Sequence, residues 1–91
     1  MWALLQVTIP TGGGPIQFST KQTLCRQIII QNNSADAMRI GDSTVSATKG
    51  INLDPGGDSL NSGPTVVYNS DLRDFWAFGT AADVLDIFYN Q

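Results

Sequence analysis

Histidine is absent from this sequence of 91 residues, and cysteine occurs only once, at Cys25. A serine nucleophile needs a neighbouring base, usually histidine, and zinc and most other transition metals need several nitrogen or sulfur ligands. We therefore expect a protein that is not an enzyme and holds neither a metal nor a cofactor. Cys25 cannot form a disulfide within the chain, and its place just ahead of an isoleucine run predicts a small buried strand residue.

Glutamate is absent too. All eight acidic residues are aspartate, and the basic residues are five Lys and Arg. Aspartate is poor in helix interiors and common in turns, so this choice favours a turn-rich β protein. The formal net charge of −3 disfavours binding to nucleic acid or to an anionic membrane. No stretch approaches the roughly 20 apolar residues of a membrane span, and no signal-like segment opens the sequence. We expect a soluble protein that is not exported by a signal peptide.

Short runs of alternating or β-branched residues recur about every ten residues, which is typical of a sandwich or barrel. No window shows the spacing of an amphipathic helix, and the best helical candidate is only residues 42–48. The run 24–31 is the strongest strand candidate, and together with 83–89 it is predicted to be interior, so Ile29→Asp should prevent folding. The predicted strands are 2–9, 24–31, 37–41, 51–53, 58–60, 65–68, 75–78 and 83–89, and residues 16–19 are predicted to be either a short strand or an arm.

We therefore predict a single all-β domain, residues 1–91, built as an antiparallel two-sheet β-sandwich of seven or eight strands in a jelly-roll-like arrangement. Strands 24–31 and 37–41 are expected to form a hairpin, and the region 38–60 to connect the two sheets at one end. Residues 54–58 (DPGGD) predict a tight turn with a glycine at positive φ. Residues 11–15 (TGGGP) predict a flexible glycine-rich arm after the N-terminal strand.

Two motifs that suggest chemistry are better explained as turns. Residues 41–43 (GDS) are similar to the nucleophile motif of a family of serine esterases, but the histidine of that family is missing, so Ser43 is predicted to be a turn residue. The Asp54–Asp58 and Asp71–Asp74 pairs do not match a calcium loop, and aspartate is ordinary in turns. Spacing alone leaves open the paired carboxylates of a glycoside hydrolase, although a chain this small has little room for a deep cleft.

Two blocks of the sequence carry a resemblance: residues 40–57 (IGDSTVSATKGINLDPGG) and residues 71–79 (DLRDFWAFG). Together they resemble a group of small tailed-bacteriophage virion proteins. The resemblance implies a virion structural protein that binds the major capsid protein on the capsid surface as a decoration or cement protein, after assembly in the host cytoplasm. The alternative is a tail, fibre or host-surface module, in which Trp76 or Tyr68 would be the platform for a glycan, and the capsid surface is favoured over the tail. A β-domain with an unrelated binding role is the third possibility.

The chain also has more large apolar residues than one small core needs, so some of them should face a partner. We expect a homo-oligomer, with a trimer favoured by the habits of decoration proteins, attached to the capsid through apolar contacts. The predicted partner-interface residues are Trp2, Leu4, Phe18, Phe75, Trp76 and Phe78.

Overall fold

The structure is a computed structural model that describes all residues from Met1 to Gln91, and it contains β-strands, one short 3₁₀ helix at Leu72–Asp74 and no α-helix. Three of the strands have only two residues. In chain order the strands are β1 (Trp2–Thr8), β2 (Ile16–Gln17), β3 (Leu24–Cys25), β4 (Gln27–Asn32), β5 (Met38–Gly41), β6 (Ile51–Leu53), β7 (Asp58–Asn61), β8 (Ser70–Asp71), β9 (Trp76–Phe78) and β10 (Val84–Asn90).

The strands form two four-stranded sheets and one small pair, and every pairing is antiparallel. The first sheet has the order β1-β10-β4-β7, the second sheet has the order β2-β9-β5-β6, and β3 pairs with β8. The all-β prediction is confirmed, and the packed sheets are consistent with a β-sandwich. The strand number exceeds the predicted seven or eight, partly because Arg26 interrupts the run 24–31 and divides it into β3 and β4.

The core lies between the sheets, because alternate residues of each long strand point inward. In β4 the buried residues are Ile28 and Ile30, and in β10 they are Leu85 and Ile87. Both strands have a neighbour on each side, so the predicted interior position is confirmed for β4 and β10, whereas residues 24–25 lie in the separate pair of β3 with β8. The buried apolar cluster consists of Val7, Ile9, Phe18, Cys25, Ile28, Ile30, Met38, Ile40, Leu53, Leu72, Ala77, Leu85 and Ile87. Cys25 is fully buried within it, as predicted.

Two connections cross from one sheet to the other at the same end of the molecule. The predicted hairpin of 24–31 with 37–41 is wrong, because the chain leaves β4 in the first sheet and enters β5 in the second. The turn between β6 and β7 returns the chain to the first sheet, so the predicted inter-sheet role of the region 38–60 is confirmed. In that turn Gly56 and Gly57 have φ values of +86° and +107°, which only glycine adopts readily, as predicted.

The predicted strand 65–68 is wrong, because Thr65–Tyr68 belongs to an irregular loop between β7 and β8. Its apolar side chains point into solvent, and Val66 is 92% exposed. The segment holds β-branched residues, which raised its strand propensity, but no other strand lies beside it to complete a backbone ladder.

The glycine-rich segment 11–15 is not a free arm. The backbone N–H of Gly79 donates to the carbonyl oxygen of Gly13 at 2.9 Å, so the segment is fastened next to the end of β9. A Cβ atom on Gly13 would lie 2.7 Å from the Gly79 carbonyl oxygen, closer than two such atoms can approach. Gly13 therefore allows close packing of this segment against the chain after β9.

Candidate interaction surface

Large apolar side chains stand on the outer face of the first sheet. The alternation that buries Val7 in β1 and Leu85 and Ile87 in β10 turns Leu4 and Phe88 outward. The strand register places Leu4 directly opposite Phe88, and Phe88 directly opposite Ile29 of β4. We call Trp2, Leu4, Ile29 and Phe88 the outer apolar patch.

The members of the outer apolar patch support one another while remaining accessible. The rings of Trp2 and Phe88 stack with centroids 4.7 Å apart and planes 16° from parallel. Leu4 is 69% exposed, Phe88 is 43% exposed and Trp2 is 41% exposed, whereas Ile29 is half-buried. Stacked aromatic rings hold few rotamers, so the patch presents a rigid apolar surface at low conformational cost.

A row of polar side chains borders the outer apolar patch on one side. The Asp86 carboxylate accepts hydrogen bonds from Gln6 Nε2 at 2.9 Å and from Asn33 Nδ2 at 3.2 Å. Asn33 Nδ2 also donates to Gln31 Oε1 at 3.0 Å. These groups satisfy one another within the chain, so a partner covering the patch would not have to leave them without hydrogen bonds.

A second polar pair lies on the other side of the patch, where Gln27 Nε2 donates to Asn61 Oδ1 at 3.2 Å. The surface thus consists of an apolar centre with polar groups at its edges, which is the usual anatomy of a protein–protein interface. The four residues of the outer apolar patch carry no ionisable side chain. Its chemistry suits the burial of apolar surface against a flat partner.

The six predicted interface residues do not form one surface. Trp2 and Leu4 belong to the outer apolar patch. Trp76 and Phe78 lie in β9 on either side of the buried Ala77, so they face outward from the second sheet, on the other side of the molecule, and both are half-buried. Their role in an interface stays a prediction.

The prediction is wrong for Phe18, which is only 4% exposed and belongs to the core of its own chain. Phe75 packs against that core and stacks on Phe18, with ring centroids 5.6 Å apart. Both rings are therefore used inside the protein. The sequence showed that the chain has several aromatic residues. It did not show which of them would be buried beside the two-residue strands.

Sequence reasoning left Phe88 and Ile29 out of the interface. A signal for Phe88 was present, because the alternation in 83–89 places it opposite the side of Leu85 and Ile87. Ile29 gave no such signal, since it lies in a continuous run of three isoleucines whose two faces look alike. Only the register with Phe88 shows that Ile29 faces outward.

The outer face of the second sheet carries a shallow cavity of about 330 Å³. Arg39 and Asn52, which are paired across β5 and β6, line it together with Phe78. The Arg39 guanidinium donates from Nη1 to the Gly50 carbonyl oxygen at 3.1 Å and so is already engaged within the chain. A second cavity, of about 370 Å³, lies beside Val45, Lys49 and Ile51.

The loop between β7 and β8 adds another exposed apolar group. Thr65 Oγ1 donates to the Arg26 carbonyl oxygen at 2.7 Å, which fixes one side of the loop, and the Arg26 guanidinium lies 4.7 Å from the centre of the Tyr68 ring. Tyr68 is 51% exposed, and Val67 is 64% exposed. One aromatic ring of this loop is thus held by a cation–π contact.

The aspartates of the sequence motifs are used in turns. Asp58 Oδ2 accepts from the Asp54 backbone N–H at 2.9 Å, which closes the turn between β6 and β7. Asp42 accepts from the backbone N–H and the hydroxyl of Thr44, and these bonds lower the pKa of the Asp42 carboxyl. Ser43 lies in the same turn, as predicted. No three His, Cys, Asp or Glu side chains are close enough together to hold a metal ion.

Asp71 is the most strongly bonded carboxylate. Its Oδ2 accepts from Arg73 Nε at 3.0 Å and from Arg73 Nη2 at 2.9 Å, and its Oδ1 accepts from the backbone N–H groups of Thr23 and Arg73. The side-chain bonds from Arg73 are the main cause that lowers the pKa of Asp71 to about 2. The carboxylate caps the 3₁₀ helix and ties it to the segment before β3, so its role is structural.

The pKa values of Asp83 and Cys25 are raised, whereas that of Asp71 is lowered. Burial and the neighbouring carboxyl of Asp36 raise the pKa of Asp83, whose Oδ2 atom is buried without a hydrogen-bond partner. Burial, followed by the negative charge of Asp71, raises the pKa of the Cys25 thiol. A thiol with a raised pKa is a poor nucleophile at neutral pH.

Comparison of the chain with protein-family models, with curated proteins and with solved structures finds no significant match. No helix in the structure has the length and apolar character needed to cross a membrane.

Proposed function

We propose that this protein is a structural component of a tailed-bacteriophage virion, which binds the major capsid protein at the capsid surface as a decoration protein. The observation that carries the proposal is the outer apolar patch, in which Trp2, Leu4 and Phe88 are exposed together on one sheet face. The resemblance of residues 40–57 and 71–79 to small virion proteins supplies the location, and the patch supplies a means of attachment.

The two resembling blocks build the scaffold rather than a chemical site. Residues 40–57 include the end of β5, the whole of β6 and the turn that leads to β7. Residues 71–79 include the 3₁₀ helix and β9. The residues that carry the resemblance thus form the framework of the fold, and the residues proposed to make contacts lie on the faces of the sheets.

The expected strength of attachment follows from the apolar area of the patch. Complete burial of a large apolar side chain contributes about 1.5 to 3 kcal/mol relative to full exposure. The patch residues are already partly covered, so each contributes a fraction of that amount, and ordering costs reduce the sum further. Attachment of one chain is therefore weak, and a repeating capsid lattice that binds several linked chains strengthens it by avidity.

The test is co-sedimentation of the purified protein with capsids that lack it. We expect the native protein to bind and Phe88→Asp to lose most of the binding, because an aspartate at that position would place a charge at the centre of the contact. The matched control is Ile51→Asp, which introduces the same charge at an apolar residue that is 58% exposed but lies in the second sheet. Equal binding by native and Phe88→Asp proteins would contradict the proposal.

A second candidate function is a tail, fibre or host-surface module that binds a glycan. Tyr68 favours it, because a half-exposed aromatic ring held in place by Arg26 offers a flat face to a sugar. Binding of the labelled protein to host cells, lost in Tyr68→Ala and retained in Phe88→Asp, would support this candidate. Microscopy of the virion separates the two, since decoration density repeats over the shell and fibre density is confined to the tail.

A further inference from the structure

Strand β1 is an edge of the first sheet, and one side of its backbone is free. Met1 and Gln91 exchange backbone hydrogen bonds, and the N–H of Ile9 donates to the carbonyl oxygen of Asp83 at 2.8 Å. In an antiparallel ladder every second residue bonds to the same neighbour, so the odd-numbered residues of β1 bond to β10. The even-numbered residues therefore direct their N–H and C=O groups away from the sheet. These residues are Trp2, Leu4, Gln6 and Thr8.

This edge lacks the features that usually prevent strand pairing between chains. Edge strands are commonly kept short, interrupted by a bulge or proline, or marked by a charged side chain. Strand β1 has seven residues, no proline, no charged side chain and an unbroken register with β10. The other sheet edges differ, since β2 has two residues, β6 has three, and β7 has four and begins with Asp58.

We propose that two copies of this chain associate by antiparallel pairing of β1 with β1 about a two-fold axis, which joins their first sheets into one continuous sheet. Hydrogen-bonding parity restricts the register, because an outward-directed residue must oppose an outward-directed residue. The register that uses the whole strand places Leu5 opposite Leu5 of the second copy. Trp2 then opposes Thr8, and Leu4 opposes Gln6.

Charge favours a second copy as the occupant of this edge. Each chain carries a formal net charge of −3, so two copies repel one another least where acidic side chains are missing. The nearest acidic side chain to the centre of the edge is Asp86, which stands one strand back, beside Gln6. In the paired sheet the two Asp86 residues are separated by three strand spacings, about 14 Å, which exceeds the screening length of about 8 Å at physiological salt.

The apolar surface is also continuous across the proposed axis. Because Leu4 opposes Gln6, the two Leu4 side chains become diagonal neighbours on the outer face, about 7 to 8 Å apart. The two outer apolar patches then meet in one larger surface. This inference does not depend on the proposed function, and it replaces the trimer expected from the sequence, since a three-fold ring needs β1 to pair with a different edge of the next copy.

The first experiment removes one outward N–H group. Proline at Gln6 takes away a donor that makes no bond within the chain, whereas the matched Gln6→Ala variant keeps the donor and loses the same side chain. Sedimentation of the purified protein over a range of concentrations should give twice the chain mass of 9.8 kDa for the native and Gln6→Ala proteins. We expect Gln6→Pro to weaken dimerisation at least tenfold.

Circular dichroism and the thermal transition show whether Gln6→Pro is folded. If that variant is unfolded, Thr8→Pro and its control Thr8→Ala are used instead. A monomeric native protein at the highest attainable concentration, a trimer, or a dimer that Gln6→Pro and Thr8→Pro leave intact would each overturn the proposal. All measurements are made without capsids, so failure here is distinguishable from failure of the capsid-binding proposal.

The second experiment tests the register with engineered cysteines. Chains carrying Leu4→Cys are mixed with chains carrying Gln6→Cys and oxidised, since a directly opposed pair has Cα atoms about 5.5 Å apart, within the range of a disulfide. We expect crosslinked heterodimers in the mixture and far less crosslinking in either variant alone. Efficient crosslinking of Leu4→Cys with itself would overturn the register, and no crosslinking in any combination would overturn the pairing.

Discussion

The side-chain amide of Asn32 donates a hydrogen bond to the carbonyl oxygen of Leu53, 3.0 Å away, and so joins a strand of the first sheet to a strand of the second. The same amide donates to the Asp36 carbonyl oxygen at 2.8 Å, and its Oδ1 accepts from the Ser34 N–H at 2.9 Å. Asn32 is fully buried. It thus satisfies backbone groups of both sheet crossings at once.

Asn32→Ala should lower the free energy of unfolding by about 2 to 4 kcal/mol, because it removes these bonds and takes a donor from the Leu53 carbonyl oxygen, whose bond to Asn32 is buried. Urea denaturation measures the change. The neighbouring Asn33→Ala is the control, since Asn33 is exposed and its amide bonds only to surface groups. Similar losses for the two variants would show that the inter-sheet bond contributes little.

An aspartate at position 30 should prevent folding, whereas an aspartate at position 29 should not. Ile30 is fully buried between the sheets, so Ile30→Asp would bury an unpaired charge. Ile29 faces outward in the outer apolar patch, and the expectation from sequence that Ile29→Asp abolishes folding is revised accordingly. Circular dichroism of the two purified variants decides the matter, and an unfolded Ile29→Asp protein would contradict the assigned orientation.

Gly13→Ala should destabilise the protein more than Gly12→Ala. Both residues have positive φ, +90° and +95°, so both substitutions carry a similar backbone cost of about 1 to 3 kcal/mol. A Cβ on Gly12 meets no atom within 4 Å, but a Cβ on Gly13 meets the Gly79 carbonyl oxygen at 2.7 Å. Thermal denaturation of the two variants should show the larger fall in Tm for Gly13→Ala, and equal falls would mean that the segment is not packed against β9.

Asp83→Asn should stabilise the protein at neutral pH and have no such effect in acid. The pKa of Asp83 is raised by burial and by Asp36, so the ionised carboxylate is disfavoured in the folded state. This penalty is present above the raised pKa, shrinks as pH falls through it, and is gone below the unfolded value of about 3.9. Urea denaturation of both proteins at about pH 7 and about pH 3.5 measures the difference, and a constant difference would exclude titration of Asp83 as its cause.

Asp71→Asn should show the opposite pH dependence. Arg73 holds the pKa of Asp71 near 2, so the ionised carboxylate stabilises the folded state above the unfolded pKa of about 3.9. That stabilisation is lost as pH falls from about 4 through about 2, and the native protein then approaches the variant in stability. Carboxyl chemical shifts in an NMR titration report the Asp71 pKa directly, and a value close to 4 would contradict the capping role.

Local pattern was sufficient to predict the strands that form the interior of the first sheet. The residues of β4 and β10 are dense in branched and aromatic side chains, which favour a strand with apolar neighbours around it. The turn at Gly56 and Gly57 was predictable for a similar reason, since Pro and Gly act on the backbone locally. These features depend on neighbours in sequence.

The relations between distant segments were not predictable from pattern. Asn32 looks like an ordinary turn residue, and nothing nearby in sequence shows that its amide meets Leu53 and carries the chain into the other sheet. Val66 and Val67 have the composition of a strand, but a strand needs a partner, and sequence does not show that none is adjacent. For the same reason the sequence predicted Trp2 and Leu4 of the outer apolar patch but missed Ile29 and Phe88. Only the pairing of β1 with β10 places Leu4 beside Phe88.

The place of β10 within the first sheet has a consequence for biosynthesis. This strand follows all the others in the chain, yet it lies between β1 and β4. Until β10 is synthesised, the backbone edges of β1 and β4 that pair with it have no partner. The sheet can close only once synthesis has passed Asn90, and the vacant position between β1 and β4 is meanwhile open to a strand from another nascent chain. Rapid synthesis at high temperature should therefore yield insoluble protein, and slower synthesis in the cold should favour the soluble fold.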